Sequence, residues 1–154
     1  MLKLSNKIIY GIKALYELSR SHGSGPLSIR AISEKQGLPV PFLEQVFHTL
    51  KTDGLVISRR GVNGGYVLSR APEDISIGDA VRALEGPIAL CDCLQHSDKD
   101  DVVDKIKNCV TSDIYRQLGS VIENAFDSIS LSELAVDPNG IVNAGTCSKE
   151  RIEI

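Results

Sequence analysis

The chain has 154 residues, of which 42% are hydrophobic, and a formal net charge of −3 at pH 7. This length fits one domain, or a small domain with a dimerisation extension. No apolar run approaches ~18 residues, so we expect no membrane-spanning segment. Tyr10, Lys13 and Glu17 interrupt the apolar pattern near the N-terminus too early for a signal peptide. We therefore expect a cytoplasmic protein.

The charge is distributed unevenly along the chain. Residues 1–72 contain ten Lys and Arg and four Asp and Glu, a formal charge of +6; residues 73–154 contain seven and sixteen, a formal charge of −9. A basic half joined to an acidic half is typical of a DNA-facing module attached to a part that faces away from DNA. Solvated helix faces can cluster in this way by chance, so charge alone does not establish DNA binding.

Apolar periodicity and end residues define the first two predicted helices. Apolar side chains recur at helical spacing over residues 5–20, with Ser5 as the N-cap. Ser28 can cap a second helix over Ile29–Lys35, and Gly37 suits the left-handed conformation that ends it. A tight connection, Leu38-Pro39-Val40-Pro41, follows Gly37. If a third helix begins after this connection, the arrangement is a helix–turn–helix.

The third predicted helix runs from Pro41 to about Asp53. Proline fits the first helical position, where a missing N–H costs little. Hydrogen-bonding side chains near a helix start suit base edges in the major groove, and a lysine suits a phosphate, although an ordinary solvated face has the same composition. The apolar stripe is Leu43, Val46, Phe47 and Leu50, and the opposite face presents Glu44, Gln45, His48, Thr49, Lys51 and Thr52.

A basic, glycine-rich turn follows this helix. It separates two short apolar runs, Leu55–Ser58 and Tyr66–Ser69, which predict a β-hairpin. Its glycines permit close backbone approach, and its two adjacent arginines suit a phosphate or an A·T-rich minor groove. The prediction is a mainly α fold with a small β-hairpin wing, a winged helix–turn–helix. The residues expected to contact DNA are Ser28, Pro41, Glu44, Gln45, His48, Thr49, Lys51, Arg59, Arg60, Asn63 and Gly64.

The acidic half is predicted to be helical and to form a dimer. Residues 76–85 form a fourth helix. A long amphipathic helix over residues 102–129, which Asn108 or Gly119 could interrupt, has more apolar surface than one small winged domain should bury. We expect it to pair with the same helix of a second subunit; folding back onto its own domain is the alternative. The dimerisation residues are Val103, Ile106, Val110, Ile114, Leu118, Val121, Ile122 and Ala125.

These elements predict three regions. Residues 1–72 form the winged helix–turn–helix domain. Residues 73–135 contain the linker helix, a cysteine-bearing loop, the dimerisation helix and a last short helix, Leu131–Ala135, which a capping box predicts. Residues 136–154 form a tail.

Three stretches of the chain resemble one family of regulators. They are Tyr10–Leu15, the run Leu43-Glu44-Gln45, and Gly54–Val56 leading to Arg60-Gly61-Val62-Asn63-Gly64-Gly65-Tyr66-Val67-Leu68. Over residues 1–135 the chain resembles the IscR/NsrR/CymR-type (Rrf family) winged-helix transcriptional regulators. The Arg-Gly-x-x-Gly-Gly-Tyr wing is the most specific of these motifs.

The resemblance implies a homodimer that binds palindromic, double-stranded promoter DNA, with repression as the expected mode. It places Glu44 and Gln45 where the family's recognition helix meets bases, and Arg60 where its wing meets the DNA backbone or the minor groove. Pro39 and Pro41 replace the serines that some relatives have at this helix start, which removes a hydroxyl there. Many relatives hold an iron–sulphur cluster that reports on iron, oxygen, nitric oxide or redox state.

Three cysteines lie in the segment where such relatives hold their cluster. Cys93 matches the family's first ligand, but the next two family positions fall near lysines, which cannot ligate iron. This chain offers Cys91, Cys93 and Cys109, with His96 as a further donor. Thiolate and imidazole ligation suits a rearranged iron–sulphur cluster, most simply [2Fe–2S].

Two alternatives to a cluster stay open for these cysteines. The thiols can act directly as a redox sensor, because Cys109 lies near a predicted helix start, which favours the thiolate, although nearby aspartates oppose this. Alternatively, the cysteines have no sensing role, and the dimer responds to a small molecule or a partner protein. Cys147, in the tail, is expected to be incidental.

The sequence contains no recognisable catalytic arrangement. It has no Ser–His–Asp, paired-carboxylate or metal-hydrolase spacing, and His22, His48 and His96 stand in unrelated settings. A protein-interaction adaptor that uses a winged fold without reading DNA sequence is a further class. We expect a DNA-binding regulator that is not an enzyme.

Overall fold

The computed structural model describes residues 3–90 and 111–136. Within these ranges the chain forms six α-helices, one two-stranded antiparallel sheet and one 3-10 turn. This is the mainly helical fold with a small β-hairpin that the sequence predicts. The elements are α1 (Asn6–Arg20), α2 (Ile29–Gln36), α3 (Val40–Thr52), β1 (Val56–Arg59), β2 (Gly65–Leu68), the 3-10 turn (Pro72–Asp74), α4 (Ile77–Glu85), α5 (Ser112–Asp127) and α6 (Leu131–Val136).

Short polar residues and a glycine define several helix ends, as the sequence predicts. The hydroxyls of Ser5 and Ser28 accept backbone N–H hydrogen bonds at 3.2 and 3.1 Å and cap α1 and α2. Ser76 and Asp79 form a capping box at the start of α4. Gly37 follows α2 in the left-handed conformation, with φ 63°. These local interactions explain why the predicted boundaries of α1, α2 and α4 are within one residue of the observed ones. The start of α3 has no side-chain cap, and this helix begins at Val40, one residue before the predicted Pro41.

The smaller elements agree with the prediction to the same precision. Both strands are displaced by one residue toward the turn. The strand β1 ends at Arg59 instead of the predicted Ser58, and β2 begins at Gly65 instead of the predicted Tyr66. The last helix continues to Val136, one residue beyond the predicted Ala135. Among residues 3–90 and 111–136, no helix is both long and apolar enough to cross a membrane.

One hydrophobic core joins α1, α3, α4 and α6. Leu15 and Phe47 are fully buried in it, and so is Leu131 at the start of α6. Burying a leucine contributes about 1.5–3 kcal/mol to folding, and the Ser19 hydroxyl donates a further hydrogen bond to the Leu131 carbonyl at 3.1 Å. Leu131 therefore anchors the segment after α5 to the N-terminal half. The division of the chain at residue 72 stays a prediction.

The long helix predicted over residues 102–129 is not continuous through Thr111. That residue has φ −105° and ψ 1°, which is not helical, and α5 begins at Ser112. Thr, Ser and Asp side chains favour helix starts over helix interiors, and residues 111–113 are Thr-Ser-Asp. Within α5 the helix continues through Gly119 without interruption. The predicted dimerisation residues Val103, Ile106 and Val110 lie outside the described residues.

Two backbone hydrogen bonds join the start of α4 to the segment between α5 and α6. The Ile77 N–H donates to the Ile129 carbonyl, and the Leu131 N–H donates to the Ile75 carbonyl, both at 2.9 Å. They hold Ser76 opposite Ser130 in a short antiparallel bridge. The C-terminal end of α5 is therefore fixed relative to α4.

Candidate nucleic-acid interface

The turn between α2 and α3 is held by its own hydrogen bonds. The Leu38 N–H donates to the Ser33 carbonyl at 3.2 Å, and the Ser33 hydroxyl donates back to the Leu38 carbonyl at 2.5 Å. Ile32 and Leu38 are buried on either side of the turn. Because the connection is short and its apolar residues reach the core, α2 and α3 have a defined relative orientation, which is the requirement of a helix–turn–helix.

The two faces of α3 separate apolar from polar side chains as predicted. Leu43, Val46, Phe47 and Leu50 have no exposed surface. Thr49 is half-buried, and its hydroxyl donates to the Gln45 carbonyl at 3.1 Å, so its side chain is partly engaged within the helix. The exposed residues of the predicted contact set on α3 are Pro41, Glu44, Gln45, His48 and Lys51.

The hairpin packs against α3 through two aromatic rings. Val56 pairs with Leu68 and Arg59 with Gly65. The Tyr66 ring lies 4.5 Å from the Phe47 ring, centroid to centroid, and attaches β2 to the buried face of α3. Ring pairs at this distance contribute about 0.5–1.5 kcal/mol beyond their burial. The position of the wing is thus linked to that of the predicted recognition helix.

A third strand-like contact fixes the other edge of the hairpin. Leu27 and Tyr66 exchange two backbone hydrogen bonds at 2.9 and 3.0 Å. A side chain at Gly65 would overlap the backbone of Leu27 and Ser28, so glycine is required at this close approach. Ser28, which is exposed and caps α2, therefore lies next to the base of the wing, although 37 positions separate it from Gly65 in the chain.

The tip of the wing presents its remaining side chains to solvent. Arg59, Arg60 and Asn63 are exposed. Gly61 has φ 124°, which favours glycine. A Cβ at Gly64 would lie 2.5 Å from the Arg59 carbonyl oxygen, so the tip admits no side chain there. Of the glycines predicted to allow close backbone approach, Gly64 does so within the hairpin, and Gly65 does so against Leu27 and Ser28 outside it.

Glu17 is a buried carboxylate that the sequence prediction treated only as a polar residue between apolar ones. It is 3% exposed. Its Oε1 accepts a hydrogen bond from Gln36 Nε2 at 2.6 Å, and its Oε2 lies 3.5 Å from Lys35 Nζ. Buried charges are stable only when paired and hydrogen-bonded, so this contact joins α1 to the last turn of α2. Glu17 lies three residues after the buried Ala14 and therefore on the same face of α1. This spacing is the sequence signal that could have identified Glu17 as buried.

The predicted cluster ligands cannot be placed in this structure. Among residues 3–90 and 111–136, no group of three or more His, Cys, Asp or Glu side chains could hold a metal ion. Thiolates with an imidazole are a donor set that suits iron–sulphur chemistry, so the residue types themselves fit such a group. The four residues considered for sensing, Cys91, Cys93, His96 and Cys109, lie outside the described residues, and so does Cys147.

A helix–turn–helix followed by a two-stranded wing defines a winged-helix DNA-binding fold. A family model described as "Rrf2: Iron-dependent Transcriptional regulator" matches residues 4–137. The chain belongs to this Rrf2 family, and it is a DNA-binding transcriptional regulator, not an enzyme.

Individual relatives are similar over most of their length. CymR of Bacillus subtilis is 33% identical over 139 residues, which cover 90% of this chain and 94% of CymR. IscR of Aliivibrio salmonicida is 35% identical over 136 residues, covering 88% and 79% of the two chains.

Solved structures of such relatives share the fold. The structure of B. subtilis CymR, described as that organism's global cysteine regulator, aligns with a TM-score of 0.70 at 35% identity and covers 88% of this chain and 98% of CymR. T. potens IscR aligns with a TM-score of 0.72 at 36% identity, covering 91% and 90%.

Proposed function

We propose that the chain is a homodimeric, sequence-specific repressor whose affinity for promoter DNA depends on an iron–sulphur cluster or on the redox state of its cysteines. The observation that supports DNA reading most directly is the attachment of a basic hairpin to a helix with an exposed polar face. Phe47 of α3 and Tyr66 of β2 make that attachment, with ring centroids 4.5 Å apart. A helix and a wing held in a fixed relative position can contact base edges in the DNA groove and the adjacent DNA backbone at the same time.

Different parts of this surface would perform different tasks. Glu44 and Gln45 lie exposed in the first half of α3, where side chains reach base edges: Glu accepts from cytosine N4, and Gln pairs with adenine. Lys51, Arg59 and Arg60 are exposed cations that suit phosphates, which position a protein without reading sequence. Arg59 and Arg60 also suit a narrow, A·T-rich minor groove.

The exposed apolar face of α5 supports a homodimer. Ile114, Leu118 and Val121 are 57%, 48% and 61% exposed, although they recur at helical spacing on one side of the helix. An apolar stripe of this kind is normally covered, and a second copy of the same helix covers it symmetrically. A two-fold dimer would also match the two halves of a palindromic site.

The sensing part of the proposal rests on the chemistry of the cysteine segment. Cys91, Cys93, His96 and Cys109 would be the ligands of a cluster, most simply [2Fe–2S], whose assembly or oxidation would supply the signal. The description of the matching family as iron-dependent supports this assignment. In the second candidate there is no cluster, and a small molecule or partner protein controls the same DNA-binding dimer; the similarity to a global cysteine regulator favours this candidate.

The test begins with duplexes selected from a random library by the full-length chain. Binding to the selected duplex should be about a thousandfold tighter than to a scrambled duplex at the same salt concentration. Equal affinity for both duplexes would contradict the proposed DNA reading.

Sensing is tested on protein purified without oxygen, by absorption spectrum, by iron and sulphide analysis, and by DNA affinity before and after oxidation. Cys93→Ser should abolish the change in affinity, whereas Cys147→Ser, the matched control, should retain it. Iron-free protein from iron-replete cells would exclude the cluster, and a redox response without iron would assign the signal to the thiols.

A further inference from the structure

The tip of the wing exposes an apolar side chain that contributes nothing to the core. The relative exposure of Val62 is 106%, the largest among the exposed hydrophobic side chains of the described residues. A single exposed valine is common on protein surfaces and is unremarkable by itself. The position of Val62 is informative, because it lies between the exposed Arg60 and Asn63 at the end of the hairpin that we propose to bind DNA.

The tip is thin because half of its residues have no side chain. Residues 60–65 are Arg-Gly-Val-Asn-Gly-Gly. The Gly64 N–H donates to the Gly61 carbonyl at 3.0 Å, which closes the loop into a tight turn. A Cβ at Gly64 would lie 2.5 Å from the Arg59 carbonyl oxygen, so the turn requires glycine at this position. A tip of this shape fits the minor groove of B-DNA, which is only about 6 Å wide.

The three side chains at the tip match what the minor groove offers. Its negative potential, strongest where A·T pairs narrow it, attracts the Arg60 guanidinium. Adenine N3 and thymine O2 are acceptors, which the Asn63 amide can satisfy as a donor. The Val62 methyl groups can contact sugar walls and the groove floor but cannot accept a hydrogen bond. The only donor on that floor is the guanine N2 amino group, and contact with Val62 would leave it without an acceptor.

We propose that Val62 enters the minor groove and selects A·T over G·C pairs beneath the wing by excluding the guanine N2 amino group. The inference rests on the proposed DNA-binding function and adds a second specificity element, separate from α3. It also accounts for an apolar residue between two polar ones at the tip: a loop that met only phosphates would gain nothing from valine.

The experiment uses the full-length chain and the duplex that it selects. Hydroxyl-radical footprinting locates the pairs protected in the minor groove. One such pair is then made A·T, G·C or inosine·cytosine; inosine keeps the major-groove groups of guanine but lacks its N2 amino group. The G·C duplex should bind about tenfold more weakly than A·T, a typical cost of one wrong pair. Inosine·cytosine should restore binding to near the A·T value, and binding as weak as G·C would overturn the proposal.

Val62→Thr is the decisive variant, because it keeps the size and β-branching of valine and adds a hydroxyl that can accept from guanine N2. Its G·C penalty should fall to about threefold or less, since the added hydroxyl gives the guanine N2 amino group the acceptor that valine lacks. An unchanged penalty would mean that groove width, not Val62, makes the distinction, and would also overturn the proposal. Because residue 62 is fully exposed, equal melting temperatures should show that both proteins are equally folded.

Arg60→Ala is the control for general wing contact. It should weaken binding to all three duplexes and reduce the salt dependence, which a purely apolar contact does not affect, while inosine·cytosine still binds more tightly than G·C. The proposed function and this inference fail differently. Failure of the random library to yield any preferred sequence would refute DNA reading as a whole. A preferred sequence whose wing positions accept A·T and G·C equally would refute only the role of Val62.

Discussion

Arg82 of α4 and Asp127 of α5 form an ion pair in which Nη2 and Oδ1 are 2.6 Å apart. Arg82 also contacts Asp79 and Glu123 at 3.2 Å each. A side chain at Gly78 would overlap the Asp127 carboxylate, so glycine leaves the space for this contact. The hydrogen bond from Arg82 lowers the pKa of Asp127, and the same contact raises the pKa of Arg82. The pair therefore connects α5, which follows the cysteine segment in the chain, to α4, which follows the wing.

The stabilisation from Asp127 should depend on pH in a defined direction. Because its pKa is lower in the folded state than in the unfolded state, the stabilisation is complete above the unfolded pKa and is lost as pH falls through the folded value. The side chain is 41% exposed, so screening limits the effect. We expect Asp127→Asn to lower the free energy of unfolding by about 1 kcal/mol or less at pH 7. Urea unfolding at pH 7 and at pH values below the folded pKa measures it.

The matched control for that variant is Asp113→Asn. Asp113 pairs with Arg116 at 3.0 Å, but its side chain is 89% exposed, so its removal should not change stability measurably. A difference between Asp127→Asn and the natural protein that persists at low pH would mean that the carboxylate's charge is not the source of the stabilisation.

Removal of the Glu17 carboxylate should destabilise the fold more than any surface change. In the natural protein Gln36 Nε2 donates to the Glu17 carboxylate at 2.6 Å. Glu17→Ala removes this acceptor and leaves a buried position unfilled. We expect a loss of about 2–3 kcal/mol in the free energy of unfolding. Glu34→Ala, an exposed residue on α2, should change it by less than about 0.5 kcal/mol. Equal denaturation midpoints for the two variants would contradict a structural role for Glu17.

Gly64 should matter for DNA binding more than for stability. In Gly64→Ala the new methyl would lie 2.5 Å from the Arg59 carbonyl oxygen, so the tip of the wing must rearrange while the core is untouched. We expect DNA affinity to fall about tenfold or more, with a change in melting temperature of only a few degrees. Ser24→Ala, in an exposed loop remote in sequence from the wing tip, should leave both unchanged. Unaltered affinity in Gly64→Ala would exclude a defined wing conformation from the binding surface.

A charge on the apolar face of α5 should separate the proposed dimer. Val121 is 61% exposed, so Val121→Glu should leave the fold of one subunit intact while it introduces a buried, unpaired charge at the interface. Sedimentation should show a monomer, and affinity for a palindromic duplex should fall sharply. Ser120→Glu, a charge at an exposed position of α5 away from this apolar face, is the control and should stay dimeric. A natural protein that is itself monomeric would refute the proposal directly.

Glu44 and Arg60 should differ in the kind of DNA binding that they support. Glu44→Ala should alter the ranking of single-base variants of the selected duplex by about 1–3 kcal/mol at one position, because the carboxylate would accept from cytosine N4. Arg60→Ala should weaken binding to all variants and lower the slope of affinity against salt by about one. Titrations over a range of salt concentrations separate the two effects. An identical ranking in Glu44→Ala would remove this residue from base reading.

Several features followed from the sequence alone because short-range interactions determine them. The hydroxyls of Ser5, Ser28 and Ser76 each cap a helix by accepting an N–H hydrogen bond from the residue three positions later. Gly37 ends α2 without a steric cost. The wing was predictable for the same reason, since its turn contains the glycines that its conformation requires. The polar face of α3 also followed from periodicity within one helix, and so did the apolar face of α5.

Other features were decided only by the tertiary structure, because the residues involved are distant in sequence. Spacing within α1 does not reveal that Glu17 would meet Gln36, and nothing local to Leu131 indicates that it fills the core beneath α1. The Arg82–Asp127 pair joins residues 45 positions apart, and it exists because Ile77 and Ile129 align α4 with the end of α5. Packing between elements places these groups, so periodicity and end residues could determine which elements form but not which side chains meet between them.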